Sequence, residues 1–515
     1  MAYAELLSEA ALINGNGRAF AGEGGTRSWA EVCDLTARIA AGLATEFSLQ
    51  RGVRVALLMG ISQDQALLSL ALSWLGVTIV PVNTRLSTAD ISVVLRHADV
   101  ELLFWDGANE ACALEVIQGE GVANGAAADT DLLNHLASGV GRARADWGDG
   151  DIAALVFTGG TTGMPKGVIL PQSMTRAMAR TFAAEIGYDR DTVYLSALPL
   201  FHVAGLGQLL GVTAGGGCHV FRPAGNPAAI YDALRSEGVN TIVAVPTMLA
   251  MLLDPAIRDD DLLKQIRAVG YGGAAIPLPL LERLLQAMPN AGFRQFFGQT
   301  ETGGLGTALR PEFHVVDGPN AGHLSKCGQL CAGYEVATHD AEGVPTPTGV
   351  PGEIVMRGAA LTPGYWRDPQ RTAELYRGDW LRTGDVGLID GDGFLSVVDR
   401  LKDMIITGGE NVYCTEVENV IARHPDVVAC AVVGVPNERW GEAVHAVVVK
   451  RDGSTLHEAE LKDFCAEKLS SFKRPKTIEI STDPLPLSGV GKVMKTILRD
   501  RALARRQTAQ TPSET

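Results

Sequence analysis

Short apolar runs alternate with amphipathic helical patterns through the N-terminal half of this 515-residue chain. An apolar run at Val53–Met59 precedes Asp64–Leu75, whose leucines recur at helical spacing, and a second run follows at Val77–Val82. A helical pattern over Thr88–Ala98 and a strand-like run over Val100–Phe104 continue the rhythm. Such alternation is typical of parallel sheets covered by helices, and it returns between residues 241 and 297, so the sequence predicts an α/β fold.

The pattern changes from about Val336 onward. Glycine, proline and aspartate separate short β-like runs such as Gly352–Arg357 and Gly393–Val398, which predicts a small antiparallel barrel or sandwich. After Arg400 a further α/β block follows, and the polar end Arg505–Thr515 is expected to be loose.

Composition excludes several classes of protein. Apolar residues make up 46% of the chain and charged residues 20%, as in a soluble globular protein. The net charge of −15 argues against binding nucleic acid with the whole surface, because phosphate attraction requires clustered positive charge. Eight scattered cysteines show no metal-binding spacing and indicate reduced thiols. We expect a cytoplasmic protein, since the start is acidic and no apolar run is long enough for a membrane span.

The strongest local motif is Phe157–Leu170, FTGGTTGMPKGVIL, which follows an apolar strand. Glycines let the backbone curl so that N–H groups point inward, threonines add hydroxyl donors, and a lysine adds a point charge. This is the composition of a phosphate-binding loop, but Gly167 stands where a Walker loop has the serine or threonine that holds magnesium. The candidate phosphate-binding residues are Thr158, Gly159, Gly160, Thr161, Thr162, Gly163 and Lys166.

Three further motifs lie downstream: FFGQTETGG at residues 296–304, DWLRTGDVGLID at 379–390 and PLSGVGKVMKTILR at 486–499. Together and in this order they resemble the acyl-adenylate-forming superfamily, which includes acyl-CoA synthetases and aryl-CoA ligases, over nearly the whole chain. The resemblance implies a large N-terminal domain over residues 1–400, made of parallel α/β subdomains and a small β-barrel-like subdomain. It further implies a hinge at 401–402, a small mobile α/β domain over 403–502, and a polar tail over 503–515.

The resemblance also implies a reaction in two halves. A carboxylate and ATP first form an acyl-adenylate and pyrophosphate, and a thiol then accepts the acyl group. Thr300 and Glu301 match positions that touch the ATP phosphates and Mg²⁺, a cation that prefers hard oxygen ligands. Phe297 matches an aromatic residue that packs on adenine, and the role of Gln299 stays open.

Two motifs supply charges for the nucleotide. Asp385 matches a carboxylate that accepts hydrogen bonds from both ribose hydroxyls, and Arg400 matches a ribose or phosphate contact. Lys492 matches the catalytic lysine of the family. A cation is needed there because attack of a carboxylate on the α-phosphate joins two anions. Lys495 is interpreted as a solvated neighbour.

The same resemblance implies how coenzyme A is bound. Lys402 matches the hinge about which the small domain turns between the half-reactions. Gly408 and Gly409 would then line a narrow pantetheine tunnel, because they have no side chains. An aromatic group for adenine and cations for a phosphate complete the predicted site, at Trp440, Phe472, Arg474 and Lys476.

The acid pocket is predicted from PLFHVAGLG at residues 199–207, GYGGAAI at 270–276 and the glycine pair at 303–304. His202 matches a gate near the carboxylate, and Val203, Gly272, Gly273 and Gly304 would line the walls. Nothing charged in these segments could hold an ammonium or a second carboxylate. We therefore expect a hydrophobic acid, aromatic or medium-chain aliphatic.

The main hypothesis is an AMP-forming acid:CoA ligase that uses ATP, Mg²⁺ and coenzyme A. The first alternative is a stand-alone adenylation enzyme that loads a carrier protein. A non-catalytic nucleotide-binding regulator is disfavoured because Lys166, Glu301, Asp385, Arg400 and Lys492 are all retained. A luciferase-type oxidation is not excluded by these motifs. The expected partners are small molecules rather than nucleic acid, and a homodimer is compatible with this interpretation.

Overall fold

A computed structural model describes residues 2–119, 121–122, 124–142, 146–159, 165–223, 226–486 and 493–510. The chain divides into two compact units. The first unit contains Met1–Val336, Val355–Arg382 and Gly393–Leu395, and the second contains Ala337–Ile354, Thr383–Asp392 and Ser396–Thr515. The predicted domain division at residues 400–403 stays a prediction.

Several helices begin where a capping side chain accepts a hydrogen bond from a free backbone N–H group. Ser28 and Glu31 form a capping box at the start of the second helix, and Ser87 accepts from the Asp90 N–H at the fourth. In chain order the helices are α1 Ala2–Asn14, α2 Trp29–Glu46, α3 Gln63–Trp74, α4 Thr88–Ala98, α5 Glu110–Gln118, α6 Thr130–Leu136, α7 Gln172–Ile186, α8 Val203–Gly215, α9 Pro227–Glu237, α10 Pro246–Met251, α11 Asp260–Lys264, α12 Leu278–Ala287, α13 Pro369–Leu375, α14 Cys414–Ile421, α15 Glu458–Ala466 and α16 Lys495–Gln510.

The strands are short and mostly apolar. In chain order they are β1 Arg18–Gly22, β2 Arg27–Ser28, β3 Arg54–Leu58, β4 Thr78–Pro81, β5 Leu102–Trp105, β6 Gly125–Ala127, β7 Ile152–Thr158, β8 Lys166–Pro171, β9 Val193–Ser196, β10 Cys218–Phe221, β11 Thr241–Ala244, β12 Ala268–Gly272, β13 Gly292–Phe297, β14 Thr307–Leu309, β15 Gln329–Leu330, β16 Tyr334–His339, β17 Gly352–Gly358, β18 Tyr376–Arg377, β19 Trp380–Ile389, β20 Leu395–Arg400, β21 Ile405–Thr407, β22 Glu410–Val412, β23 Val427–Asn437, β24 Gly441–Lys450 and β25 Thr477–Ser481.

Two sheets with parallel centres form the interior of the first unit. One has the order β15-β14-β13-β12-β11-β9-β10-β1-β2, and its strands from β13 to β1 run parallel. The other has the order β6-β5-β3-β4-β7-β8 and is parallel except for the hairpin of β7 and β8. The predicted α/β class with helix-covered parallel sheets is therefore confirmed.

The remaining sheets are smaller. One has the order β16-β17-β19-β18, with β20 paired to β19, where the sequence predicts antiparallel strands. In the second unit, β22-β21-β24-β23 form a sheet in which β25 also pairs with β24. Helices α14 and α15 contribute Val417 and Leu461 to the buried core on that sheet.

The C-terminal end differs from the expectation. The segment predicted to be loose from Arg505 continues α16 as far as Gln510. The helix is held because Leu498 and Ala502 are buried and pack in a cluster with Val433 of β23. In the described part of the chain, each helix is too short or too polar to cross a lipid bilayer.

Candidate functional site

The candidate phosphate loop connects the two strands of an antiparallel hairpin. Strand β7 ends at Thr158 and β8 begins at Lys166, and these two residues are directly paired. Gly159 follows β7, whereas Gly160, Thr161, Thr162 and Gly163 lie outside the described residues. The hairpin thus brings the predicted threonine and lysine together at one end of the sheet.

Glu301 lies in a short 3₁₀ helix, Thr300–Thr302, that follows β13. The turn is fixed locally, because the Gln299 N–H donates to the Thr302 hydroxyl at 3.0 Å and Gly303 ends the helix with φ of 68°. The Glu301 side chain is buried, and its Oε1 accepts a hydrogen bond from the Tyr365 hydroxyl at 2.8 Å. A carboxylate buried with one neutral donor can ligate a hard cation.

Tyr365 contacts both Lys166 and Glu301, the two charged residues that are predicted to lie at the phosphates. The Lys166 ammonium nitrogen lies 5.0 Å from the centre of the Tyr365 ring, within cation–π range. Burial and the adjacent Glu301 carboxylate raise the pKa of Tyr365 well above its ordinary value, so its hydroxyl keeps the proton that it donates. Sequence reasoning missed Tyr365. The signal that could have found it is the aromatic pair Tyr365-Trp366 within an otherwise polar loop, PGYWRDP.

The predicted acid pocket and adenine residues come from neighbouring strand ends. Gly272 ends β12 and Phe297 ends the adjacent parallel strand β13. The carboxyl ends of parallel strands are where α/β proteins commonly bind ligands. A Cβ atom on Gly272 would lie 2.7 Å from the Phe296 carbonyl oxygen, so glycine permits this close approach. Gly273 follows with φ of 77°.

An aromatic ring closes the space beside Gly304. A Cβ atom there would meet Val203 at 3.4 Å and the tip of the Phe182 ring at 3.5 Å. Phe182, on α7, also packs edge to face on Phe296 with ring centres 5.9 Å apart. His202 precedes α8, and its ring centre lies 4.7 Å from that of Phe201. The structure therefore brings Val203 and Gly304 together, with Phe182 as a neighbour that sequence reasoning missed.

In the second unit, the predicted ribose residues form an ion pair. The Arg400 guanidinium nitrogen Nε lies 3.0 Å from Oδ1 of Asp385. The Asp385 side chain is 9% exposed, whereas that of Arg400 is 48% exposed. A hydrogen bond of 2.9 Å from the Leu401 N–H to the Gly384 carbonyl holds the two strand segments together. The arrangement presents a carboxylate beside a partly solvated cation.

Three of the predicted coenzyme A residues also meet in the second unit. The Gly408 N–H donates to the Trp440 carbonyl at 2.8 Å, and a Cβ atom on Gly408 would lie 3.6 Å from the indole ring. The Lys476 ammonium lies 5.0 Å from the centre of the same ring. Gly409 follows in the turn between β21 and β22 with φ of 85°. An indole with an adjacent cation suits an adenine nucleotide.

The other two predicted coenzyme A residues have structural contacts. Arg474 donates from Nε to the Leu469 carbonyl and from a terminal nitrogen to the Ala466 carbonyl, both at 2.9 Å. These bonds satisfy the carbonyl of the last residue of α15 and one carbonyl in the turn that follows it. Phe472 packs against the buried core of the second unit. None of these contacts brings Arg474 or Phe472 to Trp440.

The predicted catalytic lysine, Lys492, lies outside the described residues. The chain on either side of it is joined by a 2.8 Å hydrogen bond from the Met494 N–H to the Pro486 carbonyl. Lys402 lies in a turn in which the Asp403 and Met404 N–H groups both donate to the Arg400 carbonyl at 3.0 Å.

The interpretation of Lys495 as a solvated residue is wrong. Its side chain is 18% exposed, and its ammonium lies 2.8 Å from Oε1 of Glu418. Burial disfavours the charged form, but Glu418, Cys414 and Asp399 together outweigh this and raise the pKa of Lys495. The sequence could not reveal the pair, because the two residues meet only through the packing of α16 near α14.

Comparison with known proteins agrees with this geometry. The profile of the AMP-binding enzyme family matches residues 7–366, and that of the AMP-binding enzyme C-terminal domain matches residues 416–492. Feruloyl-CoA synthase of Amycolatopsis sp is 36% identical, over 93% of this chain and 94% of its own. Fatty acid–[acyl-carrier-protein] ligase ScoC of Streptomyces coeruleorubidus is 34% identical, over 93% and 92% of the two chains.

A solved structure of similar shape is ATP-bound MatB from Rhodopseudomonas palustris. It superposes with a TM-score of 0.86 at 28% identity, over 97% of this chain and 98% of its own. The resemblance to the acyl-adenylate-forming enzymes is thereby confirmed, as is the use of ATP. The chain belongs to the AMP-binding enzyme family and is an AMP-forming acid–thiol ligase.

Proposed function

We propose that this enzyme activates a hydrophobic monocarboxylic acid with magnesium-bound ATP and transfers the acyl group to coenzyme A. The observation that carries the proposal is the contact of Lys166 and Glu301 with one tyrosine, Tyr365. An ammonium group and a carboxylate thus contact the same side chain, one at its ring and the other at its hydroxyl. A triphosphate with its metal ion needs both.

The residues present fit a magnesium ion. Glu301 uses Oε1 to accept from Tyr365, so Oε2 is the candidate metal ligand, and Thr300, the preceding residue of the 3₁₀ helix, would add its hydroxyl. When bound, the ion would neutralise and orient phosphate oxygens. Lys166 would hold the phosphates as a point charge, while Asp385 would accept from the ribose hydroxyls with Arg400 as its cationic neighbour. Lys492 would stabilise the charge that develops as the acid attacks the α-phosphate.

The surroundings of Gly304 support a hydrophobic acid. Phe182 and Val203 face this glycine, and Met178 would be 2.6 Å from a Cβ atom on Gly303. Apolar side chains on this wall favour a ring or an alkyl chain, and they penalise a second charged group on the substrate. We propose an aromatic or medium-chain aliphatic acid, with His202 as the gate next to its carboxylate.

The contact of Lys476 with Trp440 supports coenzyme A as the thiol. An indole face can stack on adenine, and a lysine whose ammonium lies over the same indole can pair with a phosphate. A carrier protein would bring a pantetheine arm without adenine, so this pair would have no ligand in that reaction. The carrier-protein alternative nevertheless has a specific observation in its favour, since a relative with 34% identity is a carrier-protein ligase.

We also propose that the C-terminal part of the chain turns about Lys402 between the half-reactions. In the described part of the chain, which includes all eight cysteines, none of them forms a disulfide, and this suits the proposed cytoplasmic location. A homodimer stays a prediction that light scattering on the purified chain would check.

The test combines ATP, Mg²⁺ and a panel of aromatic, aliphatic and dicarboxylic acids, with either coenzyme A or a loaded carrier protein. We expect pyrophosphate exchange into ATP with hydrophobic monocarboxylic acids, and AMP plus thioester when coenzyme A is added. Thioester formation on the carrier protein alone would favour the alternative. Absence of exchange with every acid in the panel would contradict the proposal.

A further inference from the structure

The segment that carries Tyr365 is attached at both ends to the candidate phosphate site. On one side it extends the sheet edge at β8: the Trp366 N–H donates to the Gly167 carbonyl at 2.7 Å, and the Ile169 N–H donates to the Gly364 carbonyl at 3.1 Å. On the other side, the Thr362 N–H donates to the Glu301 carbonyl at 2.9 Å. The segment 362–366 therefore connects the strand that begins with Lys166 to the 3₁₀ helix that contains Glu301.

The Thr362 side chain reinforces this connection. Its hydroxyl donates to the Ile169 carbonyl at 2.6 Å and lies 3.1 Å from the Gly364 N–H. The Tyr365 N–H donates to the Thr372 hydroxyl at 2.9 Å, which ties the segment to α13. The backbone position of Tyr365 is thus set by hydrogen bonds that do not involve its own side chain. The residue is 7% exposed.

We propose that Tyr365 is a positioning residue that sets the Glu301 carboxylate and the Lys166 ammonium for a magnesium-bound triphosphate. This inference rests on the proposed function. The hydroxyl restricts the glutamate side chain by holding Oε1, so that Oε2 is oriented before the metal arrives. The ring attracts the lysine through its π-face without supplying a counter-charge. The cation thereby keeps its full charge for the phosphates.

The two contacts can be separated by substitution. Tyr365→Phe removes the hydroxyl but keeps the ring under Lys166, whereas Tyr365→Leu removes both. A matched control is Tyr334→Phe: Tyr334 is equally buried, at 6%, and its hydroxyl donates at 2.9 Å to the backbone carbonyl of Thr302, next to Glu301. The control loses a hydroxyl of the same region without touching either charge.

The readout is nucleotide binding rather than turnover. Isothermal titration calorimetry gives the Kd for ATP with saturating Mg²⁺ and with EDTA. The Kd in EDTA divided by the Kd in Mg²⁺ measures how much the metal strengthens ATP binding. For Tyr365→Phe we expect this ratio to fall about three- to tenfold, the scale of one lost hydrogen bond of ordinary strength, with the Kd in EDTA unchanged. For Tyr365→Leu the EDTA value should weaken as well. For Tyr334→Phe both values should match the parent.

A double variant tests whether Tyr365 acts through Glu301. If it does, Tyr365→Phe combined with Glu301→Gln should lower the ratio no further than Glu301→Gln alone. Additive losses, or equal ratios for Tyr365→Phe and Tyr334→Phe, would overturn the inference. Failure of the unsubstituted chain to bind ATP under either condition would remove the proposed function together with this inference, whereas normal binding with an unaltered Tyr365→Phe ratio would remove this inference alone.

Discussion

Lys495 and Glu418 form a largely buried ion pair, with Nζ and Oε1 2.8 Å apart and side chains 18% and 21% exposed. The same glutamate oxygen accepts from the Val432 N–H at 2.8 Å, so the pair connects the start of α16 to α14 and β23. Lys495 is three residues from Lys492. The candidate catalytic lysine is therefore only three residues in sequence from a buried ion pair of the second unit.

The first prediction concerns this pair. Lys495→Met should destabilise the second unit by about 3 kcal/mol, because it leaves the Glu418 carboxylate largely buried without its cation, and the partial exposure of the pair puts the cost at the lower end of the usual range. The matched control is Lys462→Met, which breaks a pair with Glu458 that is also 2.8 Å long but 41% and 46% exposed. That change should cost about 0.5 kcal/mol or less. Hydrogen exchange at the Val432 amide is the local measurement, and equal protection in both variants would contradict the prediction.

The second prediction separates the two half-reactions through Lys492. Lys492→Ala should nearly abolish acyl-adenylate formation, because the charge at the α-phosphate is no longer neutralised. Thioester formation from supplied acyl-AMP should stay largely intact. Pyrophosphate exchange and thioester release measure the two steps, with Lys462→Ala as a surface control. Equal loss of both steps would contradict the role assigned to this lysine.

The third prediction concerns the hinge. Lys402→Pro should preserve pyrophosphate exchange but slow thioester formation, because a fixed φ angle restricts rotation about this residue. Lys402→Ala removes the side chain but leaves the backbone mobile, so it should keep both steps. An unchanged overall rate for the proline variant would exclude Lys402 as the hinge.

The fourth prediction addresses coenzyme A. Trp440→Ala and Lys476→Met should each raise the KM for coenzyme A about tenfold, because each removes one partner of the proposed nucleotide contact. Pyrophosphate exchange should not change. Lys468→Met is the matched control, since that lysine lies 3.9 Å from the Phe464 ring centre in the same unit. Parent values of KM in the Trp440 and Lys476 variants would show that these two residues do not contact coenzyme A.

The fifth prediction is a pH dependence of stability. His219 is fully buried, its Nδ1 lies 3.0 Å from the Ser196 hydroxyl, and burial lowers its pKa from 6.5 to about 3. An unfolded chain takes up a proton at this residue below pH 6.5, whereas the folded chain does not until about pH 3. Its contribution to stability is therefore complete above pH 6.5 and is lost as the pH falls towards 3.

The variant His219→Gln tests this. Between pH 6 and 4 the free energy of unfolding of this variant should fall less steeply than that of the parent. The two slopes should differ by about 1.4 kcal/mol per pH unit, the value for one proton. Urea unfolding at several pH values measures the slope of the free energy of unfolding against pH. A loss of stability that is the same at every pH does not change this slope. A parent-like slope for His219→Gln would contradict the prediction.

Local patterns determined much of the first unit and the order of its motifs. Helix α4 was predicted at Thr88–Ala98 and has those bounds, because its apolar face and its Ser87 cap are both properties of adjacent residues. The strand before the phosphate motif and the turn at Thr300 and Glu301 likewise depend on near neighbours. Such features are set by backbone geometry and side-chain spacing, which the sequence alone contains.

Only the tertiary structure decided which charges meet. Tyr365 bonds to Glu301 across 64 residues of sequence, and Lys495 finds Glu418 only when α16 packs on β23. Arg474 donates to the carbonyls of Ala466, the last residue of α15, and Leu469 just beyond it, and its predicted contact with coenzyme A stays a prediction. Contacts of this kind depend on how separate elements pack together, and no local spacing in the chain encodes the distance between their side chains.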